Sequence, residues 1–197
     1  MTDEPVAAGI AQGPAQAPSP ALRAVLKAAD REYGENQRLL AFLPEALIFL
    51  VLLPVLLSRG GDWLDRRLGL PSLRRLPFSG LLGGTMALAG WLYAMWSIAV
   101  QFTRGRGTPV PAMATQELVV EGPYAHTRNP MALGTILMYA GLAVIRGSLG
   151  GLLVVLTAAA ALLSYIRRFE EREMEIRFGQ SYADYRARTP FLIPVHR

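Results

Sequence analysis

The sequence predicts an all-α, polytopic helical membrane bundle, and three observations lead to that class. Apolar residues make up 52% of the 197 residues, and they are gathered in blocks. Four of these blocks approach the roughly 20 residues that a helix needs to cross a hydrocarbon core of about 30 Å. Basic residues are shared unevenly between the segments that join the blocks. We expect about four transmembrane helices, with five as the alternative.

The four apolar blocks differ in strength. The blocks at 78–102 and 149–166 are long and contain no charged residue. The block at 40–57 contains Glu45 and two prolines, and the block at 131–145 has only 15 residues. Proline kinks a helix unless neighbouring groups satisfy the freed backbone carbonyls. We predict spans at all four blocks.

The distribution of charge predicts the orientation of the bundle. With four spans, one side of the membrane carries 14 of the 20 Lys and Arg residues and the other side carries six. The positive-inside bias then places both termini and the segment 103–130 in the cytoplasm. The formal net charge of +5 is explained by topology, and we predict no nucleic-acid partner. In a bacterium, the expected location is the inner membrane.

The chain divides into four predicted regions. Residues 1–20, rich in Ala, Pro, Gly and Gln, indicate a disordered tail, and residues 21–39 a cytoplasmic or interfacial segment. Residues 40–102 form an N-terminal transmembrane pair, whose connecting loop at 58–77 has the leucines and arginines of a headgroup-layer segment. Residues 103–197 form the C-terminal region, with a hairpin at 131–166 and a cytoplasmic tail.

The residue inventory excludes several kinds of site. The chain has no cysteine, so disulfides, thiolate metal sites and a cysteine nucleophile are excluded. It has two histidines, His126 and His196, which makes a multi-histidine metal site improbable. We predict no metal.

The third and fourth spans are joined by a turn of about three residues, "RGS", so they must run antiparallel. The motifs "TRNP" (127–130) and "FEERE" (169–173) should therefore meet at the same face. Ionisable residues at membrane depth are usually functional, which favours a role for Arg168 and Glu170. For Glu173 and Arg177, four residues apart, a simple surface ion pair is the simpler interpretation. We expect the last helix to end near Gly179.

These motifs carry a resemblance to a known family. The stretch "GPYAHTRNPMALG", the apolar hairpin and then "EEREMEIRFGQSYADYRARTPFLIP" resemble the C-terminal half of the isoprenylcysteine carboxyl methyltransferase and phospholipid methyltransferase family. The resemblance covers about residues 113–197. Residues 1–100 match that family only as generic spans.

The resemblance implies a cytoplasmic site for S-adenosylmethionine. The family's cofactor contacts fall on Gln116, Glu117, Leu118, Val119, Tyr124, Asn129, Pro130, Met131, Ala132 and Glu170. The Glu170 carboxylate suits the ammonium and sulfonium groups of that cofactor. Free backbone N–H groups at the start of the third span suit its carboxylate.

Three residues are predicted to be catalytic: Arg128, Arg168 and Glu171. By strict spacing the family's substrate-side arginine falls near Ile166, so Arg167 or Arg168 would supply it instead, and we choose Arg168. Asn129 stands where the eukaryotic prenyl-protein enzymes carry His, and Ala132 stands where they carry Tyr. These departures leave the identity of the acceptor open.

The resemblance implies an integral-membrane methyltransferase that acts on a lipid-like or amphipathic acceptor in the bilayer, through a carboxylate, an amine or a thiol. One alternative is an NADPH-dependent sterol or enone reductase, although "RNPMALG" lacks the Asn-Tyr of their signature. Another is a non-catalytic membrane factor on the same scaffold. Binding of S-adenosylmethionine rather than NADPH discriminates these readings.

Two access routes are predicted. The cofactor enters from the cytoplasm, where Tyr182, Tyr185 and Phe191 of the tail could close over adenosine. The acceptor enters sideways between the second span and the hairpin, where small residues leave room: Gly83, Gly84 and Gly90. The alternative is that these glycines are helix-packing contacts.

Overall fold

The computed structural model describes residues 40, 43–44, 46–75, 77–105 and 115–194. Every regular element in this part of the chain is helical, and no strand is assigned within it. The prediction of an all-α chain is therefore confirmed over these residues. The predicted tail at 1–20 and the segment at 21–39 lie outside them, as do residues 106–114.

The first helix extends further along the chain than the sequence predicts, and a widened turn precedes it. A π-helical turn, Ile48–Leu52, leads into α1, Leu53–Leu68. Pro54 lies just after this turn, and the backbone stays helical through Leu52 and Leu53, so the proline lies inside one continuous helical run. The loop predicted over 58–77 begins only after Leu68, because the left-handed φ of 61° at Gly69 ends the helix there.

The connection after α1 is short and leads into α2, Ser79–Arg104. It contains a 3-10 turn, Leu73–Arg75, whose first N–H group donates to the Gly147 carbonyl at 3.0 Å. A long connection then leads to α3, Pro130–Arg146, which begins at a proline.

Helices α2 and α3 cross backbone to backbone. A Cβ atom at Gly83 would lie 2.8 Å from the Gly141 carbonyl oxygen, and one at Gly134 would lie 2.7 Å from the Gly90 carbonyl oxygen. A larger side chain at these positions would have to push the facing backbone away. Small residues are what allow two apolar helices to approach this closely within a membrane.

The predicted hairpin is present and consists of α3 and α4, Leu149–Tyr165. Its turn is formed by Gly147, with φ of 72°, and Ser148, which caps α4 by accepting a hydrogen bond from the Gly151 N–H group at 2.7 Å. From α1, the Asp65 carboxylate accepts a hydrogen bond from the Ser148 hydroxyl at 2.5 Å. This network fixes the turn and so brings the other ends of α3 and α4 together.

Helix α4 continues through a second π turn, Ile166–Glu170, into α5, Glu171–Arg188. The prediction that the helix leaving the hairpin ends near Gly179 is confirmed. Gly179 has φ of 52° and ψ of −126°, a conformation outside the helical region and open mainly to glycine, so the first helical segment of α5 ends there and a second segment follows the kink. The residues after the bend return to the bundle, where Tyr182 and Tyr185 are buried.

Among the described residues, two helical runs are long and apolar enough to cross a membrane: Ser79–Arg104 and the continuous run Leu149–Arg188. The second run has 40 residues. Its part before the kink at Gly179 would measure about 45 Å at 1.5 Å per residue, against a hydrocarbon core of about 30 Å. Only its apolar part, up to Ile166, is therefore assigned to the hydrocarbon, and the charged part from Arg167 projects beyond it. Helix Pro130–Arg146 is apolar but shorter, so the count of four spans stays a prediction.

Candidate functional site

A cavity of ≈ 520 Å³ lies at the end of the bundle where α2, α3 and the junction of α4 with α5 meet. One part of its wall carries charged side chains from α5 and from the segment before α3. The other part is apolar and includes Phe49, Trp91, Met95 and Met138. This size and mixed lining are typical of pockets that bind small molecules. We refer to these parts as the polar end and the apolar end.

The polar end begins in the segment that connects α2 to α3. The backbone N–H group of Gln116 donates to the Gly105 carbonyl at 2.7 Å, which ties the segment to the end of α2. A 3-10 turn, Gly122–Ala125, then presents Tyr124 to the cavity. The Tyr124 hydroxyl donates to Gln101 Oε1 on α2 at 3.0 Å. Contacts to α2 thus hold this wall in place.

Two ion pairs with little solvent exposure line the polar end. Arg128 Nη1 lies 2.9 Å from Glu171 Oε1, with the side chains 11% and 16% exposed. Arg177 Nη1 lies 3.1 Å from Glu173 Oε1, and Arg177 also donates to the Thr115 carbonyl. The first pair confirms that "TRNP" and "FEERE" are neighbours in space. The second pair is part of the cavity wall, so its interpretation as a simple surface pair is wrong.

The first ion pair retains hydrogen-bonding capacity. Arg128 Nε, Arg128 Nη1 and Glu171 Oε1 are buried, and none has a well-aligned hydrogen bond within the described part of the chain. The contact at 2.9 Å is therefore electrostatic and poorly aligned as a hydrogen bond. Buried polar groups are nearly always hydrogen-bonded, so unsatisfied groups beside a cavity indicate a polar ligand.

Glu170 lines the same cavity and differs from its neighbours in its charge balance. No ion pair involves Glu170 among the described residues, whereas Glu171 and Glu173 each have an arginine. Burial, with a smaller contribution from Glu173, raises the pKa of Glu170 to about 7. A cation beside this group would favour the ionised carboxylate. The polar end is therefore suited to a positively charged ligand.

Both π turns border the cavity. A π turn is a one-residue widening of a helix that occurs frequently at functional sites. The turn at the end of α4 supplies Ile166 and Glu170 to the wall, and the turn before α1 supplies Phe49 and Leu50. The Tyr139 hydroxyl on α3 donates to the Phe49 carbonyl at 2.5 Å, which fastens the first turn.

The structure brings together ten of the thirteen site residues that the sequence predicts. Those lining the cavity are Leu118, Val119, Tyr124, Arg128, Asn129, Pro130, Met131, Ala132, Glu170 and Glu171. Gln116 and Glu117 do not line it, and their N–H groups both donate to the Gly105 carbonyl. Arg168 is exposed and also absent from the wall, so the geometry gives no support to a catalytic role for it.

Several lining residues were not predicted from the sequence. Glu173, Met174 and Arg177 share one helix face with Glu170, at the spacing i, i+3, i+4 and i+7. That spacing is visible in the sequence and could have revealed them. Residues of the apolar end such as Trp91 carry no comparable local signal, because their place depends on how α2 crosses α3.

The predicted passage through the glycines of α2 is wrong for two of its three positions. Gly83 and Gly90 are in close contact with the backbone of α3, so the packing alternative is correct for both. Gly84 faces open space, with no atom within 4 Å of a Cβ placed there. Gly83 and Gly90, which were predicted to leave room for the acceptor, instead allow α2 and α3 to pack in contact.

The tail residues predicted to cover the site take two different positions. Tyr182 and Tyr185 are each 3% exposed and line the cavity. The Tyr185 hydroxyl donates to the Tyr124 carbonyl at 2.7 Å, and burial raises the pKa of Tyr185 above its ordinary value. Phe191 does not line the cavity. Its ring lies 4.3 Å from the Arg167 guanidinium carbon.

An apolar helical bundle with a partly charged cavity at one end is the architecture of a membrane protein that binds small molecules. The family model for phospholipid methyltransferases matches residues 78–181, which include α2, α3, α4 and the polar end. The chain belongs to the phospholipid methyltransferase family. Membership of this family does not favour the reductase and non-catalytic alternatives.

A more specific similarity is to a bacterial enzyme. Methanethiol S-methyltransferase 2 of Bradyrhizobium diazoefficiens is 29% identical over 116 residues, which cover 53% of this chain and 42% of the relative. The chain thus spans less than half the length of that curated relative.

Proposed function

We propose that the protein is a methyltransferase that takes its methyl group from S-adenosylmethionine at the polar end of the cavity and transfers it to an apolar or amphipathic acceptor at the apolar end. The observation that carries the proposal is the Glu170 carboxylate, unpaired among the described residues, in one cavity with nine other predicted site residues. When bound, S-adenosylmethionine supplies a methyl group activated by positively charged sulfur. A buried carboxylate without an arginine fits that charge.

The residues of the polar end fit the rest of the donor as well. Glu170 would face the sulfonium or the ammonium group, and Arg128, with its unsatisfied Nε and Nη1 atoms, would face the carboxylate. Leu118, Val119 and Tyr124 would form the wall around adenosine. Tyr124 stays protonated, because burial and then the Glu170 carboxylate raise its pKa above the ordinary value.

The acceptor would enter at the apolar end, by a different route from the one that the sequence predicts. Phe49, Leu50 and Trp91 line the cavity and are also 37%, 54% and 42% exposed, so they frame an opening to the outside of the bundle. Trp91 stands near the middle of α2, at the depth of the hydrocarbon if α2 spans the membrane. An acceptor dissolved in the bilayer could therefore reach the cavity without crossing the polar end.

A thiol is the first acceptor to test. The relative is named for the methylation of a thiol, and the apolar end suits an uncharged carrier of such a group. Methyl transfer depends on in-line approach and on exclusion of water, which an apolar lining favours. A carboxylate acceptor would need no base, whereas a thiol or an amine has to lose a proton.

Binding of S-adenosylmethionine to the detergent-purified protein, measured by calorimetry, tests the proposal. We expect binding by the wild type and a loss of two to three decades in affinity for Glu170→Gln, because removing one partner of a buried charge pair costs about 3–5 kcal/mol. Glu175→Gln is the matched control, since Glu175 lies on the same helix, pairs with Arg186 and does not line the cavity. Binding of NADPH in place of S-adenosylmethionine, or equal affinities for the wild type and Glu170→Gln, would refute the assignment.

A further inference from the structure

Three consecutive residues before α3 bond to the C-terminal segment after α5. The buried Thr127 hydroxyl donates to the Phe191 carbonyl at 3.2 Å, and the Asn129 side-chain amide donates to the same carbonyl at 2.8 Å. Between them, the Arg128 backbone N–H group donates to the Pro190 carbonyl at 3.0 Å. Thr127 is 0% exposed, so these bonds are shielded from water. We name this set of contacts the latch.

The latch also sets the position of an aromatic ring. The Phe191 ring lies between two arginines, with the guanidinium carbon of Arg167 at 4.3 Å and that of Arg128 at 5.7 Å from its centroid. Cation–π contacts of this kind attract the ring to both groups. Arg128 in turn contacts Glu171 and lines the cavity. The latch is therefore connected to the polar end through Arg128.

Between Gly179 and the latch, the last part of α5 forms a cover over the cavity. Its two buried tyrosines, Tyr182 and Tyr185, form part of the wall. At one end, Gly179 adopts φ of 52°, a conformation that favours glycine, and the ion pair between Arg186 and Glu175 spans the kink. At the other end, Phe191 is held by Thr127 and Asn129. The cover is thus a helical segment with a glycine kink on one side and a hydrogen-bonded fastening on the other.

We propose that Asn129 is a positioning residue that fastens this cover through the Phe191 carbonyl, and that it does not act as a ligand of the methyl donor. The resemblance implies a cofactor contact at this position, but the side-chain amide of Asn129 is already engaged at 2.8 Å. Its backbone N–H group faces Thr127 Oγ1 at 3.3 Å. Opening of the latch would move Tyr182 and Tyr185 away from the cavity and let the donor exchange with solvent. The role in donor exchange rests on the proposed function, whereas the fastening itself does not.

Hydrogen exchange and donor release, measured on the full-length protein, test the latch. Asn129→Ala and Thr127→Val each remove one bond to the Phe191 carbonyl, and the latter keeps the side-chain shape. We expect each variant to speed amide exchange of residues 182–185 in the ligand-free protein by roughly 2- to 10-fold, the effect of one hydrogen bond. Release of bound S-adenosylmethionine should accelerate by a similar factor.

Two variants serve as controls. Thr127→Ser keeps the hydroxyl and should restore wild-type exchange and release rates, which a change in general packing would not do. Asp184→Asn alters an exposed side chain of the same helical segment, bonded to Gln180, and should leave both rates unchanged.

The outcomes distinguish a fastening role of Asn129 from a role as a ligand of the methyl donor. If Asn129→Ala weakens S-adenosylmethionine binding while exchange of residues 182–185 stays at the wild-type rate, Asn129 is a donor ligand and the latch is wrong. If exchange and donor release both stay unchanged, the latch is also wrong. If the wild type binds no S-adenosylmethionine, the proposed function fails, and exchange in the ligand-free variants still decides whether the latch exists.

Discussion

Glu170 and Arg128 differ in the electrostatic and hydrogen-bonding interactions that each can still offer to a ligand. Arg128 has a carboxylate partner at 2.9 Å but poorly aligned donors, whereas Glu170 has no ion-pair partner among the described residues. A buried carboxylate without a counter-ion is costly to keep charged, which is why its pKa rises. A bound cation would offset that cost. Binding of a cationic ligand beside Glu170 should therefore release a proton from its carboxyl group.

This coupling predicts a pH dependence of donor binding. The pKa of Glu170 is about 7 in the ligand-free protein, so the carboxyl is mostly protonated below pH 7 and must lose its proton to face a cation. Affinity for S-adenosylmethionine should rise as the pH increases through about 7 and level off above it. The donor has a titrating amine of its own, so the quantity to measure is the difference between wild type and Glu170→Gln at each pH. A difference that does not change between pH 6 and pH 8 would contradict this prediction.

At the residue scale, the sequence predicts the polar end better than the apolar end. The motifs "TRNP" and "FEERE" are local, and the short turn at Gly147 and Ser148 fixes where they meet. Arg177 was not predicted as a site residue because an ion pair with Glu173, four residues away on a helix, is equally typical of a solvated surface. Trp91 was not predicted as a lining residue because the crossing of α2 and α3 decides that it faces the cavity. No short sequence motif indicates that crossing.

At the scale of helices, the α2–α3 crossing depends on glycines that leave no space for a side chain. A Cβ at Gly90 would lie 2.5 Å from the Gly134 carbonyl oxygen, whereas one at Gly84 meets nothing within 4 Å. The two positions belong to the same helix and differ only in the face they present. They form a matched pair for substitution.

Gly90→Leu should destabilise the bundle by more than about 1–3 kcal/mol, the usual cost of overpacking, because backbone and not a flexible side chain must yield. Gly84→Leu should be tolerated. Thermal unfolding in detergent measures both. Equal unfolding temperatures for the two variants would show that α2 and α3 do not cross as described.

The helix boundaries show which local sequence signals are sufficient to predict where a helix begins or ends. The start of α3 at Pro130 and the turn at Gly147 follow from local chemistry, and both appear where the sequence places them. Gly179 was expected to end its helix, since glycine is typical of helix ends. The helix does end at Gly179, and a second helical segment follows it, whose place against the bundle depends on the buried contacts of Tyr182 and Tyr185. Such tertiary contacts lie outside the reach of local patterns.

At the scale of the whole molecule, the orientation in the membrane is a separate prediction. The bias of basic residues places both termini in the cytoplasm if the number of spans is even. A reporter that fluoresces only in the cytoplasm should therefore light up when fused to either end. Signals from opposite sides would mean an odd number of spans and would require a new assignment of the side that holds Glu170.

The transfer reaction itself tests the central claim most directly. Purified wild-type protein in detergent is given S-adenosylmethionine with a labelled methyl group and decanethiol, an apolar thiol that partitions into micelles. We predict a labelled thioether, formed at least about 100-fold more slowly by Glu170→Gln at donor concentrations below saturation. The account is contradicted if the labelled methyl group reaches no thiol, amine or carboxylate amphiphile, or if Glu170→Gln transfers it as fast as the wild type.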